Sequence, residues 1–531
     1  MLKNYFTVAW RTIIRSKLYA AINIAGLAIG LTCFFLIALF IKDELSYDTF
    51  HTKAGRIYRV IGILNLEGQG EESSSCPFPV APALANDYPD LIEQAVRFFN
   101  FQDPQHTLRV GDTKMNESRI FMADSNVFAV FDFPLLKGDP AKVLARPNTI
   151  VLTQQLASKY FGTDDPISRV IKFDGVTDLE VTGVFGEIPQ QSHIHFDALI
   201  SFSTTRSMMP NQLNNWVWNP NWTYVLLREG IKPGQLEQQL PEFVKKYYPE
   251  FLKPQVKHLL QPLTDIHLHS KYQYEIEPNS DLSLIYIFLL IGIFILVIAS
   301  INFMNLATAR SANRAKEVGI RKVSGANKGQ LILQFLTESV MISCLAIGMS
   351  LLLAELLLPF FNQVSSKNIH ISYIEHIDMI LLLFASGIGT GIVSGLYPAF
   401  YLSSFQPVNV LKGTLSAASR NSFLRRSLVV FQFVISVTLI IATGMVYLQL
   451  NHLRSASLGF SKSQVLMLPV RPPMGKLFDP FIAELKGLNS VTNVCRMNDV
   501  IGKHHNTHEY NYEGMQAGKW IYYPSLLVDE E

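Results

Sequence analysis

The sequence predicts a polytopic α-helical membrane protein with five spans and one large extracytoplasmic α+β domain. Three observations carry that expectation. Hydrophobic residues make up 49% of the 531 residues and charged residues 17%, with mean hydropathy +0.20, an apolar excess beyond that of ordinary soluble chains. Five stretches, 18–41, 284–309, 331–358, 377–402 and 427–450, are uncharged or nearly so, and each reaches the roughly 20 residues a helix needs to cross a hydrocarbon core of about 30 Å. The segment 42–283 is long enough to hold its own core and alternates strand-like with helix-like patterns.

The first apolar stretch is longer than a secretory h-region and lacks a small-x-small cleavage site, so it is a retained anchor. Basic residues orient the spans. Lys3, Arg11, Arg15 and Lys17 precede the first. Arg310, Arg314, Lys316, Arg321, Lys322 and Lys328 fill the gap 310–330, and Lys412, Arg420, Arg425 and Arg426 lie in 403–426. Those segments are expected in the cytoplasm, with 42–283, 359–376 and 451–531 outside. In 1–17, Leu2, Tyr5, Phe6, Ala9, Trp10, Ile13 and Ile14 recur at helical spacing opposite Lys3, Thr7, Arg11 and Arg15, which describes a helix lying in the cytoplasmic interface. Gly26 with Gly30, and Gly387 with Gly391 and Gly395, form GxxxG faces for helix packing, within one subunit or between two.

Within the outer segment, 56–63, 179–185 and 223–227 read as strands, and 81–98 and 153–160 as helices. After residue 419 the order starts over: basic segment, span, a strand-like 464–470 and a helix-like 478–488. This suggests a duplication whose second outer domain begins at 451 and is truncated by the end of the chain.

Net charge is +2 with no long basic face, so nothing points to nucleic acid. No G-x-x-x-x-G-K-[ST], G-x-S-x-G or H-E-x-x-H occurs. No catalytic residue and no bound cofactor is therefore expected, and any ATPase, with its ATP and Mg, must be a separate chain. Of the four cysteines, Cys33 and Cys344 lie in apolar runs. Cys76 and Cys495 lie in polar segments, where an outward Cys76 would react with an impermeant thiol reagent. His193-Ile-His195 and His267-Leu-His269 would each put two imidazoles on one face of a strand, which zinc would accept. Nothing holds the two pairs together, so they read as structural and no metal is assigned. Glu338 lies about two turns inside the third span, where its carboxylate either meets a neighbouring basic loop or serves an ion relay. In 314–326, Ala315, Val318, Ile320 and Val323 form an apolar stripe among basic residues, suiting a short helix, with Glu317 and Arg321 four apart on one face.

That segment, followed by Phe335-Leu-Thr-Glu-Ser339, resembles the signature loop of the FtsX-like and MacB-like permease family of bacterial ABC transporters. Residues 48–60, 128–162 and 397–413 are similar to further stretches of that family, so the resemblance spans the chain. It implies a permease subunit of the bacterial inner membrane with a MacB-like core domain at 42–283. ATPase coupling would fall on Arg314, Lys316, Glu317, Gly319, Arg321, Lys322, Gly325 and Lys328. It also implies a cytoplasmic ATPase partner, a homo- or pseudo-dimeric permease and an outer partner protein, with ATPase closure transmitted through the helices to expel or extract a substrate. A non-transporting regulatory scaffold and a membrane-anchored metalloenzyme are the competing classes.

Overall fold

The computed structural model describes residues 2–66, 69–100, 105–374, 376–404, 422–457, 464–468, 477–498, 507–510, 512–514 and 521–529. They form two compact units: Met1–Leu45 with Asp281–Val465, and Ser46–Ser280 with Leu466–Glu531.

The first unit is helical: α1 (Leu2–Arg15), α2 (Lys17–Leu45), α3 (Leu282–Val323), α4 (Lys328–Ser365), α5 (Ile377–Ser403) and α6 (Ser422–Ser455). Five of these, α2 to α6, hold stretches long and apolar enough to cross a membrane. Helix α2 buries Leu27, Ala28, Leu31 and Phe35 against Ala299 of α3 and Ala346, Ile347 and Ala354 of α4. Close approach depends on small residues, because lipid supplies no hydrophobic drive between helices. A Cβ on Gly30 would lie 2.8 Å from that of Ala299, and one on Gly387 2.5 Å from the Ile347 side chain. On Gly395 it would lie 2.5 Å from Ser339 Oγ, and on Gly391 it would overlap Ser343. Gly26 has only Asn302 within reach, at 3.5 Å. These glycines therefore seat α2 on α3, and α5 on α4, inside one chain. Helix α6 packs mainly on α3 and leaves Phe433, Ile440, Met445 and Tyr447 exposed.

The stretch 310–330, expected as a loop with a short helix, is instead the continuation of α3 to Val323 and a tight turn into α4. A helix of 42 residues is roughly 60 Å long, twice a hydrocarbon core. The turn is chemically specified. Gly325 takes φ +92, which favours glycine, and Asn327 caps α4 in a box with Gln330. At the far end of α4, Ser366 closes the helix in the left-handed region. Of the expected linker 403–426, residues 405–421 lie outside the described residues and 422–426 already belong to α6.

The second unit is built on one mixed sheet. Its central strands are β1 (Ile57–Leu66), β2 (Ile92–Phe99), β3 (Ile120–Ala123), β4 (Thr149–Thr153), β5 (Thr177–Phe185), β6 (Ala198–Ser201), β7 (Trp222–Leu227) and β8 (Val256–Pro262), in the order β8-β1-β7-β2-β3-β6-β4-β5. Only β3 with β6 and β4 with β5 are parallel among these. Both faces are covered. Phe98 joins one cluster with Phe131, Phe196 and Tyr224, while its neighbour Phe99 joins another with Phe78, Ile150 and Leu152. That two-sided burial explains why Ile150, Val151 and Leu152 in β4 are all apolar, with no alternation. Thr153 ends β4 and caps the helix Gln154–Phe161 by accepting from the Leu156 N–H at 3.1 Å.

The helix expected over 81–98 ends at Asp87 and gives way to β2. Pro89 pushes Tyr88 out of the helical region, and Ile92, Val96 and Phe98 then turn inward at even spacing. The strand expected over 464–470 is absent from 464–468, which have no regular structure, and 469–470 lie outside the described residues. Further on are the helix Phe478–Lys486 and a hairpin of Thr507–Tyr510 with Ile521–Pro524.

Candidate functional site

Two polar constellations are built with more care than packing alone needs. The first is the α3–α4 corner. Arg314 Nη1 donates to both oxygens of Glu338, at 3.0 and 2.9 Å, and its guanidinium lies 5.0 Å from the Phe335 ring centre. Both partners are largely buried. Three residues on, Glu317 pairs with Arg321 at 2.7 Å and approaches Arg314 Nε at 3.7 Å. Arg321 Nη1 donates to Gln334 Oε1 at 2.9 Å, and Lys322 Nζ to the Ser403 carbonyl at 2.7 Å, where an open helix C-terminus attracts a cation. Val318 packs beneath, with Leu331, Phe335, Ala399 and Leu402. The end of α3 is thus bolted to α4 and to the end of α5 by three cations.

Of the residues expected to couple to an ATPase, Arg314, Arg321 and Lys322 are turned to this internal work. Gly319 is buried beside Val318. Glu317, Gly325 and Lys328 are exposed, and the Lys316 side chain lies outside the described residues. The apolar side chains left at the tip are Ile320, 60% exposed, and Val323, 68% exposed.

The second constellation is in the sheet unit. His193 Nδ1 meets Asp48 Oδ1 at 2.9 Å and its Nε2 meets the Tyr224 hydroxyl at 2.7 Å, all three side chains being buried. Beside Tyr224, the fully buried Arg59 pairs with Glu275 at 2.5 Å and with Gln261 at 2.7 Å. His195 pairs with Glu277, and the Pro189 carbonyl lies 3.1 Å from its Nε2. Burial pushes the His195 imidazole down, but hydrogen bonding and charge from Glu277 prevail and raise it.

Neither His pair lies on a strand. His193 and His195 sit in an irregular segment. His267 and His269 share one helical turn, where His267 stacks on Tyr47 at 3.4 Å between ring centres and His269 lies 3.7 Å from Asp265. Among the described residues no three His, Cys, Asp or Glu side chains converge as metal ligands. Cys76 is fully buried with its thiol pushed up by desolvation, so it cannot serve as an outward-reacting reporter. Asp48, Tyr224 and Arg59 gave no sequence signal as a network, because their partners lie far away along the chain.

Five membrane-length helices and a covered mixed sheet define a multi-pass membrane protein with a mixed α/β unit. Residues 20–243 match the family model described as the MacB-like periplasmic core domain, and residues 289–407 that of the FtsX-like permease C-terminal. The chain belongs to this family of ABC transporter permeases. The uncharacterized ABC transporter permease YvrN of Bacillus subtilis is 21% identical over 439 residues, covering 77% of this chain and 99% of that protein. The macrolide export ATP-binding/permease protein MacB of Bdellovibrio bacteriovorus is 32% identical over 125 residues, which are 22% of this chain and 17% of that protein. The chain thus matches less than a fifth of that relative's length. The solved periplasmic region of MacB from Actinobacillus actinomycetemcomitans covers 39% of this chain and 90% of its own length at 15% identity, with a TM-score of 0.29. A permease domain from Porphyromonas gingivalis covers 40% and 91% at 25% identity, with a TM-score of 0.35.

Proposed function

We propose that this chain is the permease subunit of an ABC transporter in the bacterial inner membrane. In this reading, ATP hydrolysis on a separate cytoplasmic ATPase drives movement of its outer domain to expel or extract a substrate. ATP and Mg bind the partner ATPase, and this chain binds no cofactor. The permease works as a homo- or pseudo-dimer, and an outer partner protein receives the movement. The observation that carries the reading is the unbroken α3, whose last turns are bolted through Arg314, Arg321 and Lys322 to α4 and α5. A flexible loop would absorb a push from an ATPase, whereas a clamped helix end passes it to three helices at once. Ile320 and Val323 supply an apolar tip for a groove on the partner, rimmed by Glu317 and Lys328.

The test uses the tip, where substitution leaves the internal bonds untouched. Val323→Asp and Ile320→Asp should insert and melt like the parent chain, yet fail to co-purify with the ATPase or stimulate it in reconstituted vesicles. Undiminished stimulation by both variants would overturn the assignment of the tip. A parent chain that neither co-purifies with nor stimulates any ATPase would favour the regulatory scaffold.

A further inference from the structure

We propose that His193-Ile-His195 is a pH-responsive tie between the two legs of the outer domain, in which His193 holds the first leg and His195 holds the second most tightly while its ring carries two protons. The first leg is the chain just after Leu45, the last residue of α2, and the second is the chain just before Leu282, the first residue of α3. Asp48 belongs to the first leg. It takes the left-handed backbone at φ +58, and its N–H donates to the Gln191 carbonyl at 2.7 Å. Its carboxylate accepts from the His193 N–H at 3.2 Å and faces the ring Nδ1 at 2.9 Å. Glu277 belongs to the second leg. Its Oε1 accepts from the His195 N–H at 2.9 Å, and its two oxygens lie 3.0 and 2.9 Å from His195 Nδ1. Two alternate residues of one short segment therefore grip both ends of the domain.

The two rings differ in what surrounds them. On His193, Nδ1 faces a carboxylate and Nε2 a hydroxyl, which can donate or accept. A ring with its proton on Nδ1 keeps both hydrogen bonds, and so does one with protons on both nitrogens. His51 and Arg59 are the other basic groups of that network, facing His193 across Asp48 and Tyr224. On His195 both nitrogens face acceptors that cannot donate: the Glu277 carboxylate and the Pro189 carbonyl. Only the imidazolium satisfies both with a full charge against Glu277; the neutral ring keeps at most one of these bonds, while the His195 N–H holds Glu277 in either form. The remaining charge near His195 is Arg119, itself paired with Asp197 at 3.2 Å. The position raised by Glu277 agrees with this geometry. Because the folded ring binds its proton more tightly than the unfolded one, the charge-assisted part of the grip is fully present below the ordinary histidine value of about 6.5 and is lost as pH rises through the folded value, leaving the weaker neutral contacts. A transmitting role for the tie rests on the function proposed above, whereas the tie itself does not.

Hydrogen–deuterium exchange with mass spectrometry on the full chain in nanodiscs, from pH 5.5 to 8.5, separates the two. Exchange at the imidazole carbon titrates each histidine, and backbone exchange reports each leg. His195 should titrate above 6.5, and Glu277→Gln should return it to 6.5 or below. Backbone protection of 271–280, corrected for intrinsic rates, should fall several-fold as the parent passes that point, be low throughout in Glu277→Gln, and stay constant for 46–52. His195→Gln should reproduce the unprotected state. A His195 titration at or below 6.5 in the parent, or full protection of 271–280 in Glu277→Gln, would overturn the tie. None of these readouts involves an ATPase. A confirmed tie with ATPase stimulation insensitive to Glu277→Gln would leave the tie standing and remove its role in transmission.

Discussion

His51 and His258 are buried so completely that each imidazole is pushed down to about 4, desolvation being the main cause for both. Their bonding explains why the neutral form is kept. His51 Nδ1 accepts the Asp132 N–H at 3.0 Å, while His258 Nδ1 donates to the Ile61 carbonyl at 3.1 Å and its Nε2 meets the Tyr248 hydroxyl at 2.7 Å. With folded values below the unfolded ones, both contribute stability that is full above about 6.5 and lost as pH falls toward 4. At about 1.4 kcal/mol per tenfold difference in proton affinity, each accounts for a loss on the order of 3 kcal/mol by pH 4. The melting temperature of the sheet unit, followed by tryptophan fluorescence, should therefore drop between pH 7 and 4.5. His258→Gln, which can donate to Ile61 and accept from Tyr248 without titrating, should flatten part of that drop. An unchanged acid dependence would mean that His258 is protonated without cost. The opposite dependence of His195 is local and lies at higher pH, so the two effects do not mask each other.

Helices and strands with a local signature were legible, and those settled by distant partners were not. Five apolar runs became membrane-length helices, and 57–63, 179–185 and 223–227 became strands as their patterns required. The run 81–98 misled because an apolar helix and an apolar strand follow one another with only Pro89 as punctuation. The extension of α3 was hidden by its charges: six cations in 310–330 read as a loop, yet Arg314, Arg321 and Lys322 find acceptors on α4 and α5. Among the intended coupling residues, only geometry separates the inward-facing ones from those at the tip. The Arg314–Glu338 pair tests this element directly. Glu338→Ala strands a buried guanidinium and should cost about 3 to 5 kcal/mol, seen as a lowered melting temperature of the solubilised protein. Replacing both partners by Met and Leu should recover most of that loss, since an apolar pair leaves no unpaired charge. A double variant no better than Glu338→Ala would show that the corner needs the charges themselves. Gly391→Leu should also destabilise, because its side chain would have to displace Ser343 across the α4–α5 seam.

At the scale of the whole molecule the decisive question is which side of the membrane each segment faces, since the proposed permease mechanism depends on it. The basic residues before and in the first turns of α2 and α6, and at the end of α3, predict one arrangement, with the α3–α4 corner in the cytoplasm and the sheet unit outside. The opposite arrangement would place at least Arg314, Arg321, Lys322 and Lys328 in a short segment on the outer side, against the excess of Lys and Arg that short cytoplasmic segments carry. Reporters must be exposed to be read, which excludes Cys76. Leu136 in the sheet unit, 56% exposed, and Asn327 in the α3–α4 turn, also exposed, meet that need. In a chain whose four native cysteines are replaced by serine, Leu136→Cys should react with a membrane-impermeant maleimide in intact spheroplasts, and Asn327→Cys only after permeabilisation. Labelling of Asn327→Cys in intact cells would place the corner outside, beyond reach of any cytoplasmic ATPase, and would end the permease mechanism even if the tie at His195 held.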